Sequence, residues 1–224
     1  MSSPFSAIVF PPKLHVRSGP KASLESLHLL SAGDEVDVAD IDDTGTWGQV
    51  TAANGSTGWV SLKYLRFGKA APLFLNIAAG EVGVKENPDP NVAHPKIIEY
   101  LATVDDLGSV HKSRDETAWC SCFVNWCVEK TGLNGTNSAT ALSWNDWHAS
   151  VAQGDEKPGD IAVFTRHSLV ESGGHVSFFV RYSGDRSRVL LLGGNQSNAV
   201  RYSWFPVNGS LGLTAYRLIS LRRS

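Results

Sequence analysis

The spacing of apolar positions along the chain changes near residue 70. Before that point they alternate. Ile8-Val9-Phe10, Leu14-His15-Val16, Leu27-His28-Leu29-Leu30, Glu35-Val36-Asp37-Val38, Trp47-Gly48-Gln49-Val50 and Gly58-Trp59-Val60-Ser61 follow the period of two that half-buries a strand. Turn residues punctuate them: Gly19-Pro20, Ser31-Ala32-Gly33-Asp34, Asp42-Asp43-Thr44-Gly45 and the hairpin dipeptide Asn54-Gly55. Short strands this closely spaced over residues 1–67 predict a small all-β barrel. Residues 68–72, Gly-Lys-Ala-Ala-Pro, read as a linker.

From Leu73 onward the period is helical. Leu73, Phe74 and Ile77 predict a helix reaching about Gly83, Asn87-Pro88-Asp89-Pro90-Asn91 a loop, and Ile97, Ile98 and Leu101 a second helix from Pro95. Trp119, Cys122 or Phe123, and Trp126 or Cys127 share one face of a helix within Ala118–Gly132; residues 113–117 offer N-caps and Gly132 a C-cap. Trp144 and Trp147 fall on another short helix. Strands follow: Ile161–Phe164 after the turn Lys157-Pro158-Gly159-Asp160, His175–Val180, Arg188–Leu192 beyond a turn at Ser183–Ser187, then Ala199–Trp204 and Thr214–Leu218. Helices first and an antiparallel sheet afterwards define an α+β domain over residues 73–224.

Composition narrows the class. The 224 residues carry a formal net charge of −2 with no long run of either sign, which points away from nucleic acid and from a polybasic membrane surface. No stretch approaches the roughly 18 apolar residues of a membrane span. The first residues, Met1–Ile8, have neither a basic nor an apolar signal region, so synthesis in the cytoplasm without a signal peptide is expected. Cys120, Cys122 and Cys127 lie too close together for a disulfide framework and lack a second cluster for zinc. Reduced thiols in a monomer, with no cofactor and no metal, are the expectation.

Cys120 sits at the amino end of its helix, where unpaired N–H groups and the helix dipole favour a thiolate. A cysteine nucleophile needs a base, and the base needs an orienting partner. Of seven histidines, His175 has the best address, at a strand mouth after Gly173-Gly174. His15 and His28 belong to the barrel; His94, His111, His148 and His167 lie in loops or polar surroundings. An antiparallel hairpin turning about Asp185 sets Asn195 opposite His175, and a slip of one residue would spoil this. The Cys120 N–H is the natural oxyanion donor, with Ser121 or Asn125 as polar help. Asp160 reads as a turn residue and Glu86 as a solvated loop acid.

These blocks carry two resemblances. Leu14-His15-Val16-Arg17-Ser18-Gly19-Pro20, Trp47-Gly48-Gln49-Val50 and Gly58-Trp59-Val60-Ser61 with Tyr64-Leu65 resemble the bacterial SH3 domain, which usually targets a catalytic partner to cell-wall peptides. Trp47, Trp59 and Tyr64 would be either its binding rings or its core. Trp119-Cys120-Ser121-Cys122-Phe123-Val124-Asn125-Trp126-Cys127, Pro158-Gly159-Asp160, Gly174-His175-Val176 and Gly193-Gly194-Asn195-Gln196 resemble the NlpC/P60 and CHAP superfamily, in its phage-associated branch. The resemblance implies a papain-like cysteine peptidase or amidase acting on peptidoglycan peptides. Cys120 matches the nucleophile, His175 the base and Asn195 the orienting residue, while Trp119, Ser121, Asn125 and Gln196 are assigned to substrate binding. Cys122 departs from the pattern and is the alternative nucleophile.

Such an enzyme would be a stem-peptide endopeptidase or an N-acetylmuramoyl-L-alanine amidase. It would act in the periplasm or wall after release, as a prophage lysin or an antibacterial toxin, with an immunity protein or delivery machinery as partner. The competing readings are a non-catalytic wall-binding protein and a cysteine acyltransferase or deamidase of proteins.

Overall fold

The computed structural model of the chain describes residues 4–167 and 172–224, so the first three residues of the stretch read for a signal lie outside it. Seven strands form the first unit: β1 (Phe5–Val9), β2 (Lys13–Arg17), β3 (Ser26–Ser31), β4 (Glu35–Ile41), β5 (Trp47–Ala52), β6 (Thr57–Ser61) and β7 (Leu65–Arg66). They make one antiparallel sheet in the order β3-β2-β6-β5-β4-β1-β7, coiled as a half-barrel. The alternation in the sequence is the reason. Phe5, Ala7, Val9, Leu14, Val16, Val36, Val38 and Val50 point inward while their neighbours face water. The aromatic rings are not this core: Trp47 and Trp59 are half-buried, and Tyr64 is 43% exposed.

The second unit opens with helices α1 (Leu73–Gly80), α2 (Pro95–Leu101), α3 (Ser109–Lys112) and α4 (Cys120–Glu129). Then come β8 (Ala149–Ser150), β9 (Ile161–His167), β10 (Ser172–Tyr182), β11 (Arg188–Gly193), β12 (Arg201–Pro206), β13 (Asn208–Leu211) and β14 (Thr214–Arg223). The sheet order is β12-β11-β10-β9-β14-β13, with β8 paired to β14. Every residue of α4 from Cys120 to Val128 is buried. Phe123 meets Phe178 on β10 edge-on at 6.4 Å, and Tyr100 from α2 packs its edge against Phe123 and Trp126 at 5.1 and 5.0 Å. A second cluster (Phe164, Phe179, Leu191, Phe205, Leu221) fills the opposite face of the sheet.

Several boundaries differ from the sequence reading. The first helix stops at Gly80, because Glu81 closes it and Gly83 turns at φ 96°. Ala141–Asp146, carrying Trp144, is a 3₁₀ turn and not an α-helix. Short α3, β7, β8 and β13 carry too few apolar positions to show a period.

One apolar core is continuous through both units. Phe5 stacks between Phe67 at 5.5 Å and Tyr202 of β12 at 6.0 Å. The connecting segment is tied down, since the Phe67 N–H donates to Asn76 Oδ1 at 2.7 Å and Asn76 Nδ2 donates to the Phe67 carbonyl at 3.2 Å.

Candidate active site

Cys120 opens α4. The preceding Trp119 provides no side-chain cap, so the first N–H groups of the helix need another acceptor. The N–H groups of Ser121, of Cys120 itself and of Val176 on β10 are turned toward the Cys120 sulfur and act to lower its pKa. That last contact exists because β10 runs past the end of β11. Their pairing reaches Phe178↔Leu192, and β11 stops at Gly193. Trp119 and Phe123 explain the stop: a Cβ on Gly194 would lie 2.4 Å from the Trp119 ring and 2.7 Å from Phe123. The helix therefore packs where β11 would have continued. The sulfur lies beside the residue that follows His175.

His175 is only 6% exposed and stacks on Phe205, with ring centres 5.0 Å apart. Its Nε2 lies 2.8 Å from Ser177 Oγ and 3.3 Å from Gln196 Oε1. The orientation of the Gln196 amide follows from its other end, where Nε2 donates to the Arg201 carbonyl at 2.6 Å. Oε1 therefore faces the imidazole, and being only an acceptor it requires the proton on His175 Nε2. Nδ1 is left as the ring's basic nitrogen. Ser177 closes the triangle by donating to Gln196 Oε1 at 3.1 Å. Gly193 makes room for this, since a Cβ there would stand 2.1 Å from Ser177 Oγ.

Gln196, and not Asn195, is thus the partner of His175. The hairpin register that pointed to Asn195 holds at Phe178↔Leu192 and Phe179↔Leu191. It fails further out because the chain leaves the sheet at Gly194 and passes through Asn195 in the left-handed region, φ 54°. That residue reverses the side-chain alternation and brings Gln196 inward, 2% exposed. Neither Ser177 nor Gln196 carried an independent signal for this role, although the two glycines before Asn195 marked a close approach.

The other residues singled out in the sequence are buried or half-buried. Ser121 Oγ donates to the Ser138 carbonyl at 2.6 Å and accepts the Trp144 indole N–H at 2.9 Å. Asn125 Nδ2 donates to the Ser121 and Ser138 carbonyls, and its Oδ1 accepts the Asn137 N–H at 3.0 Å. Both residues are fully buried and pin the 136–138 loop to α4, which leaves them no face for substrate. Trp119 is equally buried, donating its indole N–H to Glu86 Oε1 at 2.8 Å. Glu86 is therefore a half-buried anchor of the helix start, its carboxyl pushed up by burial, and not a solvated acid. Asp160 is a structural turn residue clamped by Nε and Nη2 of Arg223, at 2.6 and 2.7 Å.

Electrostatics set the resting state of the pair. Burial pushes the Cys120 thiol up, partly offset by the N–H groups of Val176 and Ser121 and by the Arg166 charge. Burial also lowers His175, to about 4; the Gln196 contact works against this, and Arg166 adds to it. Both shifts favour neutral thiol and neutral imidazole over the thiolate–imidazolium pair expected from the helix dipole, because desolvation outweighs the dipole here. Cys122 is pushed up to about 12 by burial and by Cys120, and Cys127 well above its ordinary value by burial.

A polar groove of about 640 Å³ lies beside the approach to α4, between Pro90–Ala93 and His111–Thr117. Buried Asp115 holds these two walls together, accepting the N–H groups of Asn87 and His94 at 3.0 and 2.8 Å. No pattern in the sequence marks this groove. Among the described residues no cluster of His, Cys, Asp and Glu is arranged to hold a metal ion.

A buried cysteine at a helix start, facing a histidine-bearing strand beside an SH3-like half-barrel, defines a two-unit papain-like α+β protein. Residues 112–195 match the CHAP domain and residues 12–66 the bacterial SH3 domain. The chain accordingly carries a region similar to the bacterial SH3 domain followed by a region similar to the CHAP domain. No curated protein matches it. Solved structures similar to it include NlpC2 from Trichomonas vaginalis, with 16% identity, TM-score 0.40, and coverage of 98% of this chain and 72% of that one. NlpC1 from Trichomonas vaginalis has 15% identity, TM-score 0.40, and coverage of 98% and 68%. An NlpC/P60 family protein from Bacillus cereus ATCC 10987 has 15% identity, TM-score 0.39, and coverage of 99% and 63%.

Proposed function

We propose that the protein hydrolyses an amide bond of bacterial peptidoglycan through Cys120 and His175, with Gln196 in place of Asn195 as the orienting residue. The observation that carries the reading is the triangle of His175, Ser177 and Gln196, which leaves Nδ1 as the ring's basic nitrogen. The pair starts neutral. As the sulfur attacks the amide carbonyl, its proton passes to Nδ1, and the imidazolium is held through Nε2–H on Gln196. Nδ1–H then protonates the leaving amine, and water hydrolyses the thioester with His175 again as base. The N–H groups of Cys120, Ser121 and Val176 are the donors available to the developing oxyanion.

The groove at residues 90–117 offers room for a peptide on the segment that leads into α4. On the barrel, a second groove of about 520 Å³, lined by Lys13, His15, Arg17, Trp47 and Tyr64, is suited to holding wall peptides. Its partly exposed rings favour the targeting role over a core role for these residues. Release into the periplasm or wall, as a lysin or a delivered toxin, belongs to the same reading.

The test is mass spectrometry of fragments released from purified peptidoglycan. A free lactyl-muramic end identifies an amidase, and a cleaved stem or cross-bridge an endopeptidase. Cys120→Ala should release nothing while still binding the wall. Fragment release undiminished in Cys120→Ala, or none from the wild type, would overturn the proposal.

A further inference from the structure

The amide of Gln196 is held by the Arg201 carbonyl, and Arg201 is in turn held by the barrel. Its guanidinium Nη2 donates to the Asp43 carbonyl. The next residue, Tyr202, donates its N–H to the Gly45 carbonyl at 3.0 Å. Both barrel residues lie in the turn between β4 and β5, which the Asp42 carboxylate rigidifies. It accepts the N–H groups of Thr44, Thr46 and Trp47 at 3.2, 3.0 and 2.8 Å, and the Thr44 hydroxyl at 2.5 Å. Gly45 sits at φ 67°, and a Cβ there would stand 2.0 Å from the Tyr202 carbonyl. The turn is thus seated on the start of β12 with no space between them.

From these contacts we infer that the 42–46 turn of the barrel is a positioning element of the hydrolytic site, with Gly45 and Arg201 as positioning residues for His175. The path is short and made of hydrogen bonds: barrel turn, Arg201–Tyr202 backbone, Gln196 amide, His175 Nε2. If the seat is lost, the Arg201 carbonyl moves and the Gln196 amide is free to turn over. An amide NH₂ would then face the ring, and the imidazole proton would move to Nδ1, where it cannot accept the Cys120 proton. The barrel has a second duty beyond holding wall material: it keeps the base in its working tautomer. This rests on the proposed role of Cys120, His175 and Gln196, but its structural half can be read without any substrate.

The test uses the full chain labelled with ¹⁵N-histidine, reading the His175 tautomer by long-range ¹H–¹⁵N correlation at pH 7. The wild type should show the Nε2–H form. Gly45→Ala, Arg201→Ala and Gln196→Ala should show a mixture or the Nδ1–H form, and Arg201→Lys, which keeps a donor for the Asp43 carbonyl, should return toward the wild type. Gly55→Ala is the control, since Gly55 has φ 83° and open space around it, so it adds the same backbone strain away from β12 and should leave the tautomer unchanged. On a soluble stem peptide, Gly45→Ala and Arg201→Ala should lower kcat about tenfold with KM within about twofold. An unaltered Nε2–H form in folded Arg201→Ala overturns the inference, and this variant decides the matter if Gly45→Ala does not fold. A wild type inactive on every wall fragment would instead refute the hydrolase reading, with the tautomer result still standing.

Discussion

At the scale of single residues the site is a contest between desolvation and hydrogen bonding, and desolvation wins at both Cys120 and His175. His175 is lowered to about 4 from 6.5 because it is buried, so the folded chain holds it neutral where the unfolded chain would protonate it. Between those two values the unfolded state binds more protons, and stability therefore rises with pH through this window and is lost as pH falls through it. By linkage the ceiling is roughly 3 kcal/mol for a shift of this size. Urea unfolding at pH 7 and pH 4.5 should show this loss in the wild type and a much smaller one in His175→Gln. The acid limb of kcat/KM should fall below the ordinary imidazole value of 6.5 for the same reason. The three residues of the GGNQ run after β11 also separate by role. Gln196→Ala should cost about a hundredfold in kcat/KM, within the range of acid–base effects, and Asn195→Ala far less, as steady-state rates on one peptide would show.

At the scale of elements, α4 and its neighbours show why polar residues on a reactive helix need not be reactive. Ser121 and Asn125 lie on the helix that carries Cys120, yet their partners are the Ser138 carbonyl, the Trp144 indole and the Asn137 N–H. Asn125→Ala should therefore act on stability, by about 2 kcal/mol, because it leaves buried partners unpaired. Chemical denaturation should report this while kcat at 25 °C stays within a few-fold. Gly194→Ala should destabilise more strongly than a surface change, by about 1–3 kcal/mol, since its methyl would enter the Trp119–Phe123 contact.

At the scale of the whole molecule the two units share one core. Phe5 and Tyr202 stack across the junction, the Phe67–Asn76 pair fixes the connection, and Arg181 donates to the Ala39 carbonyl at 3.2 Å. Calorimetry should accordingly show a single cooperative transition with matching van't Hoff and calorimetric enthalpies. Two separated transitions would mean the junction is weaker than its packing indicates. In this arrangement the barrel is not a module on a tether, and its 42–46 turn is seated on Arg201 and Tyr202 at the start of β12.

The sequence by itself determined most of the elements and the places of Cys120 and His175 on them. Strand and helix periods are local properties, so the half-barrel, the Cys120 helix and the β10–β11 hairpin were legible from the spacing of apolar residues, and Cys120 and His175 from their addresses on those elements. Only the tertiary structure decided which residue orients the imidazole. Strand register is local, but where β11 ends depends on Trp119 and Phe123 arriving from a distant helix and pressing on Gly194. It also decided that Trp119, Ser121 and Asn125 are interior residues, because burial comes from what packs over a side chain and no period records that. The charge state of the pair belongs to the same category: the helix dipole is visible in sequence, and the desolvation that overrides it is not.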